Sequence, residues 1–92
     1  MIKHIYLFKV KEGYDINEIA KHILTLKDYC PTIKEIEVGL DFKHASNSYD
    51  LCEYVTFDNK EDFEAFGINE YHAGMRLYLG ERTEGVKIDF EI

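Results

Sequence analysis

Met1-Ile2-Lys3-His4-Ile5-Tyr6-Leu7-Phe8-Lys9-Val10 is the stretch that decides the fold. Read as a strand, it sends Ile2, His4, Tyr6, Phe8 and Val10 one way and Lys3, Ile5, Leu7 and Lys9 the other. Both rows carry apolar side chains. A strand that is apolar on both faces is covered on both faces, so helices should cover one side and a further layer the other. His4 stands in the more apolar row, where a histidine must either find a polar partner or face a cavity.

Working outward, Gly13 closes this strand. Asp15, with Glu18 three residues on, has capping-box spacing. Ile16, Ile19, Ala20, Ile23, Leu24 and Leu26 then recur at helical intervals to about Tyr29, and Pro31 ends the helix. Residues 33–42 alternate as a second strand, with Ile36, Val38, Leu40 and Phe42 on one face and Glu35, Glu37 and Asp41 on the other. After a polar loop, residues 49–57 form a third strand. Asp58 or Asn59 caps a short helix bearing Phe63, Ala65 and Phe66, which Gly67 interrupts. Asn69 caps a second helical piece with Tyr71, His72, Met75, Leu77, Tyr78 and Leu79, and Gly80 is expected to stop it. Val86, Ile88, Phe90 and Ile92 alternate with Lys87, Asp89 and Glu91 as the last strand.

The order is β-α-β-β-α-β over residues 1–92, which reads as a single domain. The fold class is therefore α+β and ferredoxin-like, a four-stranded antiparallel sheet with helices on one face. The helices leave the second face bare. Ile5, Leu7, Cys52 and Tyr54 make that face too apolar for open water, and a second copy packed across a two-fold axis would cover it. The expected state is a homodimer, closing a dimeric α/β barrel.

Charge and composition exclude several function classes. The chain of 92 residues carries a formal charge of −7 and no basic stripe. That argues against a nucleic-acid partner and against an anionic membrane surface. No apolar run is long enough to span a bilayer. Met1 leads directly into a strand, so no signal peptide is expected. Cys30 and Cys52 lack metal-ligand spacing and read as free thiols of a cytoplasmic protein.

His4, His72 and Glu53 are the candidates for chemistry. His4 is equally well explained as a core histidine bonded to a nearby carbonyl or hydroxyl. His72 shares a helix face with Asn69, Met75 and Leu79, as a half-buried helix-end histidine would. Glu53 stands in a row with Leu51, Val55 and Phe57. If buried beside a histidine it forms an acid–base pair; otherwise it reaches solvent or a dimer contact. His22 and His44 read as surface residues. Asp89, Glu91, Glu35 and Glu37 read as solvated strand faces, although clustered carboxylates also suit a divalent cation. CxxC, HExxH, GxGxxG and GxSxG patterns are all missing.

The pattern resembles the stress-responsive A/B barrel (Dabb) family over nearly the whole chain. The likeness rests on Ile2-Lys3-His4-Ile5-Tyr6-Leu7-Phe8-Lys9, Ile36-Glu37-Val38-Gly39, Tyr49-Asp50-Leu51 with Phe57, the region from Phe66 to His72, and Val86-Lys87-Ile88-Asp89-Phe90. The resemblance implies a ferredoxin-like dimeric barrel. The best-understood enzymes of the family are plant polyketide cyclases, which close a ring by aldol condensation without a cofactor. They use histidines matching His4 and His72. Their His-Pro-x-His run corresponds here to Asn69-Glu70-Tyr71-His72, and Phe66 takes the place of a catalytic tyrosine. Glu53 stands where the family usually has an apolar residue.

Three functions are consistent with these residues. The first is a Dabb-type protein binding a small apolar or aromatic molecule in a pocket between sheet and helices, lined by His4, Tyr6, Phe8, Ile23, Phe66, His72 and Met75. The second is a cofactor-independent enzyme, either cyclase-like or a monooxygenase, in which His72 or Glu53 takes a proton and His4 bonds the enolate. The third is a structural dimer with a filled core. No metal or other cofactor is expected in any of them.

Overall fold

The computed structural model describes all 92 residues. Its elements are β1 (Ile2–Val10), α1 (Ile16–Leu24), α2 (Leu26–Tyr29), β2 (Glu35–Leu40), β3 (Leu51–Phe57), α3 (Lys60–Gly67), α4 (Glu70–Arg82) and β4 (Thr83–Glu91). The strands form one antiparallel sheet in the order β2-β3-β1-β4. This is the ferredoxin-like arrangement expected from the element order, with the helices on one face.

Local chemistry sets the helix ends. The Asp15 carboxylate accepts the backbone N–H groups of Asn17 and Glu18 and starts α1. Asn59 caps α3 through the Asp62 N–H, and Asn69 caps α4 through the His72 N–H. Each takes up an amide that the first helical turn leaves unpaired.

Several boundaries differ from the sequence expectation: β3 begins at Leu51 rather than at residue 49, β4 begins at Thr83 rather than at Val86, and three further differences lie in the first helix, β2 and α4. The first helix breaks at Thr25, whose hydroxyl donates to the His22 carbonyl and so competes with the regular ladder. β2 is shorter than residues 33–42: Phe42 lies beyond its end and is 90% exposed, while Ile33 packs into the core from outside the strand. α4 runs past Gly80 to Arg82. The helix ends instead at Thr83, whose backbone N–H and hydroxyl both reach the Leu79 carbonyl.

Residues directly opposite in an antiparallel pair share a face. Ile2, His4, Tyr6 and Phe8 of β1 therefore look toward the helices together with Leu51, Glu53, Val55 and Phe57 of β3 and Lys87 and Asp89 of β4. Over β2 and β3, helix α1 buries Ile19 and Ile23, and Leu26, Cys30 and Ile33 complete a closed core with Leu51, Val55 and Phe57. On the α3–α4 side, Phe66, Met75 and Leu79 are buried.

The outward face carries Ile5, Leu7, Cys52 and Tyr54, joined by Val86, Ile88 and Phe90 of β4. Leu7, Val86, Ile88 and Phe90 are between 36% and 57% exposed, which makes a contiguous apolar stripe over neighbouring strands.

Candidate functional site

Between β1 and the α3–α4 pair lies a cavity of about 450 Å³. Its walls include Tyr6, Phe8, Phe63, Phe66, Met75 and Leu79, and its polar lining comes from His4, Glu53, His72, Arg76 and Lys87. The volume falls in the usual range for small-molecule pockets. Tyr6 is stacked on Phe8, with ring centroids 4.5 Å apart. Gly85 makes room for the Tyr6 ring: a Cβ there would come within 2.5 Å of it and 2.4 Å of the Leu7 carbonyl oxygen.

The sheet register assembles the charged part of the wall. Asp89 lies directly opposite His4 across β1 and β4. Glu53, opposite Tyr6 on β3, is the diagonal neighbour of His4. His4 Nδ1 is bonded to the Asp89 carboxylate. His4 Nε2 stands 3.4 Å from Glu53 Oε2, and the second Asp89 oxygen accepts from Lys87 Nζ at 2.6 Å. His4 and Glu53 are 6% and 3% exposed, so this pair lies inside the protein rather than at its rim.

Burial works against the imidazolium of His4, but hydrogen bonds to Glu53 and Asp89 and the attraction of both carboxylates outweigh it and raise the pKa above 6.5. Asp89 is pulled in two directions. Partial burial favours its neutral acid, yet the bonds from Lys87 and His4 hold the pKa below the ordinary value.

His72 is opposite in character. Burial first, and the Arg76 guanidinium second, push its pKa below 6.5, against the weaker pull of the Phe66 carbonyl and Glu53. Its ring stacks on Phe66 at 3.8 Å between centroids. His72 Nδ1 lies 3.0 Å from the Phe66 carbonyl oxygen and 2.9 Å from an Arg76 Nη1. One nitrogen cannot donate to the first and accept from the second together, so the two contacts are alternatives that select different tautomers. One cavity thus holds a histidine biased toward its cation and a histidine biased toward its neutral form.

The sequence-derived site residues fall as follows. His4, Glu53, His72, Tyr6, Phe8, Phe66 and Met75 all line the cavity. Ile23 does not: it is fully buried in the closed core under α1, because α1 packs over β2 and β3 while the cavity lies under α3 and α4. Glu53 reaches neither solvent nor the outward face. His44 is on the surface as expected; His22 is half-buried and stacked on Tyr78 at 4.0 Å. No group of three or more His, Cys, Asp or Glu side chains is arranged to hold a metal ion. Asp89 is not a solvated strand residue but the partner of His4. Its place followed from parity: on β4 the apolar residues face outward, so the charged ones face the helices.

The model of the family described as the stress responsive A/B barrel domain matches residues 2–92. The chain belongs to the Dabb family. Among solved structures, this Dabb chain is similar to a dimeric protein of unknown function with a ferredoxin-like fold from Bacteroides fragilis. The two are 26% identical, with a TM-score of 0.80 over 99% of this chain and 95% of that one. An Arabidopsis thaliana protein is 20% identical, with a TM-score of 0.87 over 100% of this chain and 95% of its own. A hydroxynitrile lyase from Passiflora edulis is 18% identical, with a TM-score of 0.88 over 99% of this chain and 92% of that one. The last two likenesses are of fold. No curated protein sequence matches the chain.

Proposed function

We propose that this Dabb protein binds a small apolar or aromatic molecule bearing a hydrogen-bonding oxygen, in the cavity between β1 and the α3–α4 pair. The observation that carries this reading is the cavity itself. Aromatic and aliphatic walls enclose a few converging polar groups, which is the usual composition of a small-molecule site. Both nitrogens of His4 already face carboxylates, so His4 organises the wall, while Glu53 and His72 remain to meet a ligand hydroxyl or carbonyl. The test is a titration of isotopically labelled protein with 4-hydroxybenzaldehyde, followed by amide NMR. Binding should perturb residues around His4, Phe66 and His72; unmoved spectra at millimolar ligand would remove the reading.

A second reading is favoured by the opposed histidines. Environments that push two titratable groups apart mark an acid and a base. His72, neutral, would take a proton beside a carbonyl, and the His4 imidazolium would stabilise the resulting oxyanion once the ligand oxygen displaces Glu53, 3.4 Å away, from His4 Nε2. Turnover of an aromatic carbonyl compound should then fall by about 100-fold or more in His72→Ala, following the usual weight of a general base. It should be unchanged in His22→Ala. Persistence of turnover in a His4→Ala, His72→Ala double variant ends the catalytic reading.

The same proposal includes a homodimer built on the outward sheet face. The exposed Leu7, Val86, Ile88 and Phe90 support it, as does the description of the Bacteroides fragilis protein as dimeric. Ile88→Glu should give a monomer in light scattering at micromolar concentration. A wild-type monomer under the same conditions would contradict the assembly. No helix is long and apolar enough to cross a membrane, and the free thiols Cys30 and Cys52 suit a reducing compartment, so the cytoplasm is the proposed location.

A further inference from the structure

The charges around the cavity do not balance. Glu53 and Asp89 face His4, and Asp89 also holds Lys87 at 2.6 Å. Two carboxylates thus meet two cationic side chains. Arg76, the remaining cation of the lining, forms no ion pair with any carboxylate. Its Nη1 contacts the Gly67 carbonyl oxygen at 3.2 Å and the His72 ring, and the other guanidinium donors have no protein acceptor. Arg76 is exposed and lies on the cavity rim, four residues after His72 and one after the buried Met75. Lys3, Lys11, Lys21, Lys27 and Lys43 also lack a carboxylate partner, but Arg76 is the one such cation that lines the cavity.

A guanidinium with free parallel N–H groups matches a carboxylate in a two-pronged contact. The apolar walls would hold the body of the molecule that bears it. We propose that the cavity selects aromatic or aliphatic monocarboxylates, with Arg76 taking the carboxylate at the rim while the body lies against Phe66, Met75 and Leu79. This rests on the small-molecule reading above and narrows it to one charge class. The carboxylate sits at the rim, away from Glu53, which would repel it. Lys87 is already occupied by Asp89 and acts as a long-range attraction only.

The test compares phenylacetate with phenylacetamide, which has nearly the same shape and no charge, by NMR titration or calorimetry at low salt. The acid should bind at least about tenfold tighter than the amide, as a charge-assisted bidentate contact provides. Arg76→Gln should erase that preference while leaving amide binding within about twofold. Arg76→Lys should restore part of it, since the charge returns without the fork. Arg76 is exposed, so both variants should keep the wild-type amide spectrum, and a variant that does not is replaced by the other. Equal binding of acid and amide to the wild type, or a preference that survives Arg76→Gln, overturns the proposal and leaves the small-molecule reading standing. Failure of both compounds to bind overturns this inference together with the reading beneath it.

Discussion

The two halves of the helical layer cover one sheet face and enclose different things. Under α1 and α2, Ile19, Ile23, Leu26 and Cys30 close onto Leu51, Val55 and Phe57, each of them 2% exposed or less. Under α3 and α4, Phe66, Met75 and Leu79 stand off from β1 around about 450 Å³ of space and a charged wall. The difference begins in the helices. The apolar residues of α1 fall on one stripe, whereas α4 scatters them, leaving Leu77 74% exposed and placing His72 and Arg76 on the cavity. A helix that spends its inward positions on polar groups cannot close a core, and the hollow is the result.

Ile23→Ala should give the largest effect, a loss of about 4 kcal/mol in urea unfolding, because deletion in a closed core adds a void to the lost burial. Met75→Ala, deleting a side chain that already borders space, should lose nearer 2 kcal/mol. Equal losses would mean that the cavity collapses in solution and that the two halves do not differ.

The smallest effect is a response to pH that belongs to the open half alone. His4 binds its proton more tightly folded than unfolded. Its contribution is full below pH 6.5 and is lost as pH rises through its folded value. His72 binds its proton less tightly when folded. Its contribution is full above 6.5 and is lost as pH falls through its folded value. Stability should therefore peak near pH 6.5, measured as urea midpoint against pH. His72→Gln should flatten the acid limb down to the carboxylate range, where loss of the Asp89 contribution takes over, and His4→Gln should flatten the alkaline limb. A profile without a maximum in that range would contradict the opposed pair.

The closed half was legible in the sequence because burial there is periodic: Ile16, Ile19, Ile23 and the alternation along β3 state their own face. The open half was legible only in part. His4, His72 and Glu53 stood out as polar residues in apolar rows, and all three line the cavity. Asp89 did not stand out, because a charged residue alternating with isoleucine and phenylalanine looks solvated until the apolar side is known to be the outward one. Ile23 was drawn into the pocket for the converse reason: periodicity tells that a residue is buried, not which half of the layer buries it. Lys87 shares the parity of Asp89 and is hidden in the same way, whereas Arg76 carries no pattern at all, since surface cations are common and only the fold places this one on the cavity.

One strand ties these features together. On β4, Lys87 and Asp89 build the cavity wall while Val86, Ile88 and Phe90, their immediate neighbours, build the outward stripe. A slip of one residue against β1 would exchange the two sets, setting Ile88 or Phe90 against His4 and turning both charges toward the apolar side. Gly85 guards against this, since only a residue without Cβ fits beside Tyr6 and the Leu7 carbonyl. Insertions or deletions anywhere in this strand are therefore closed to variation in a way that its individual side chains are not, and any that occurred would cost the binding wall and the outward face in a single event.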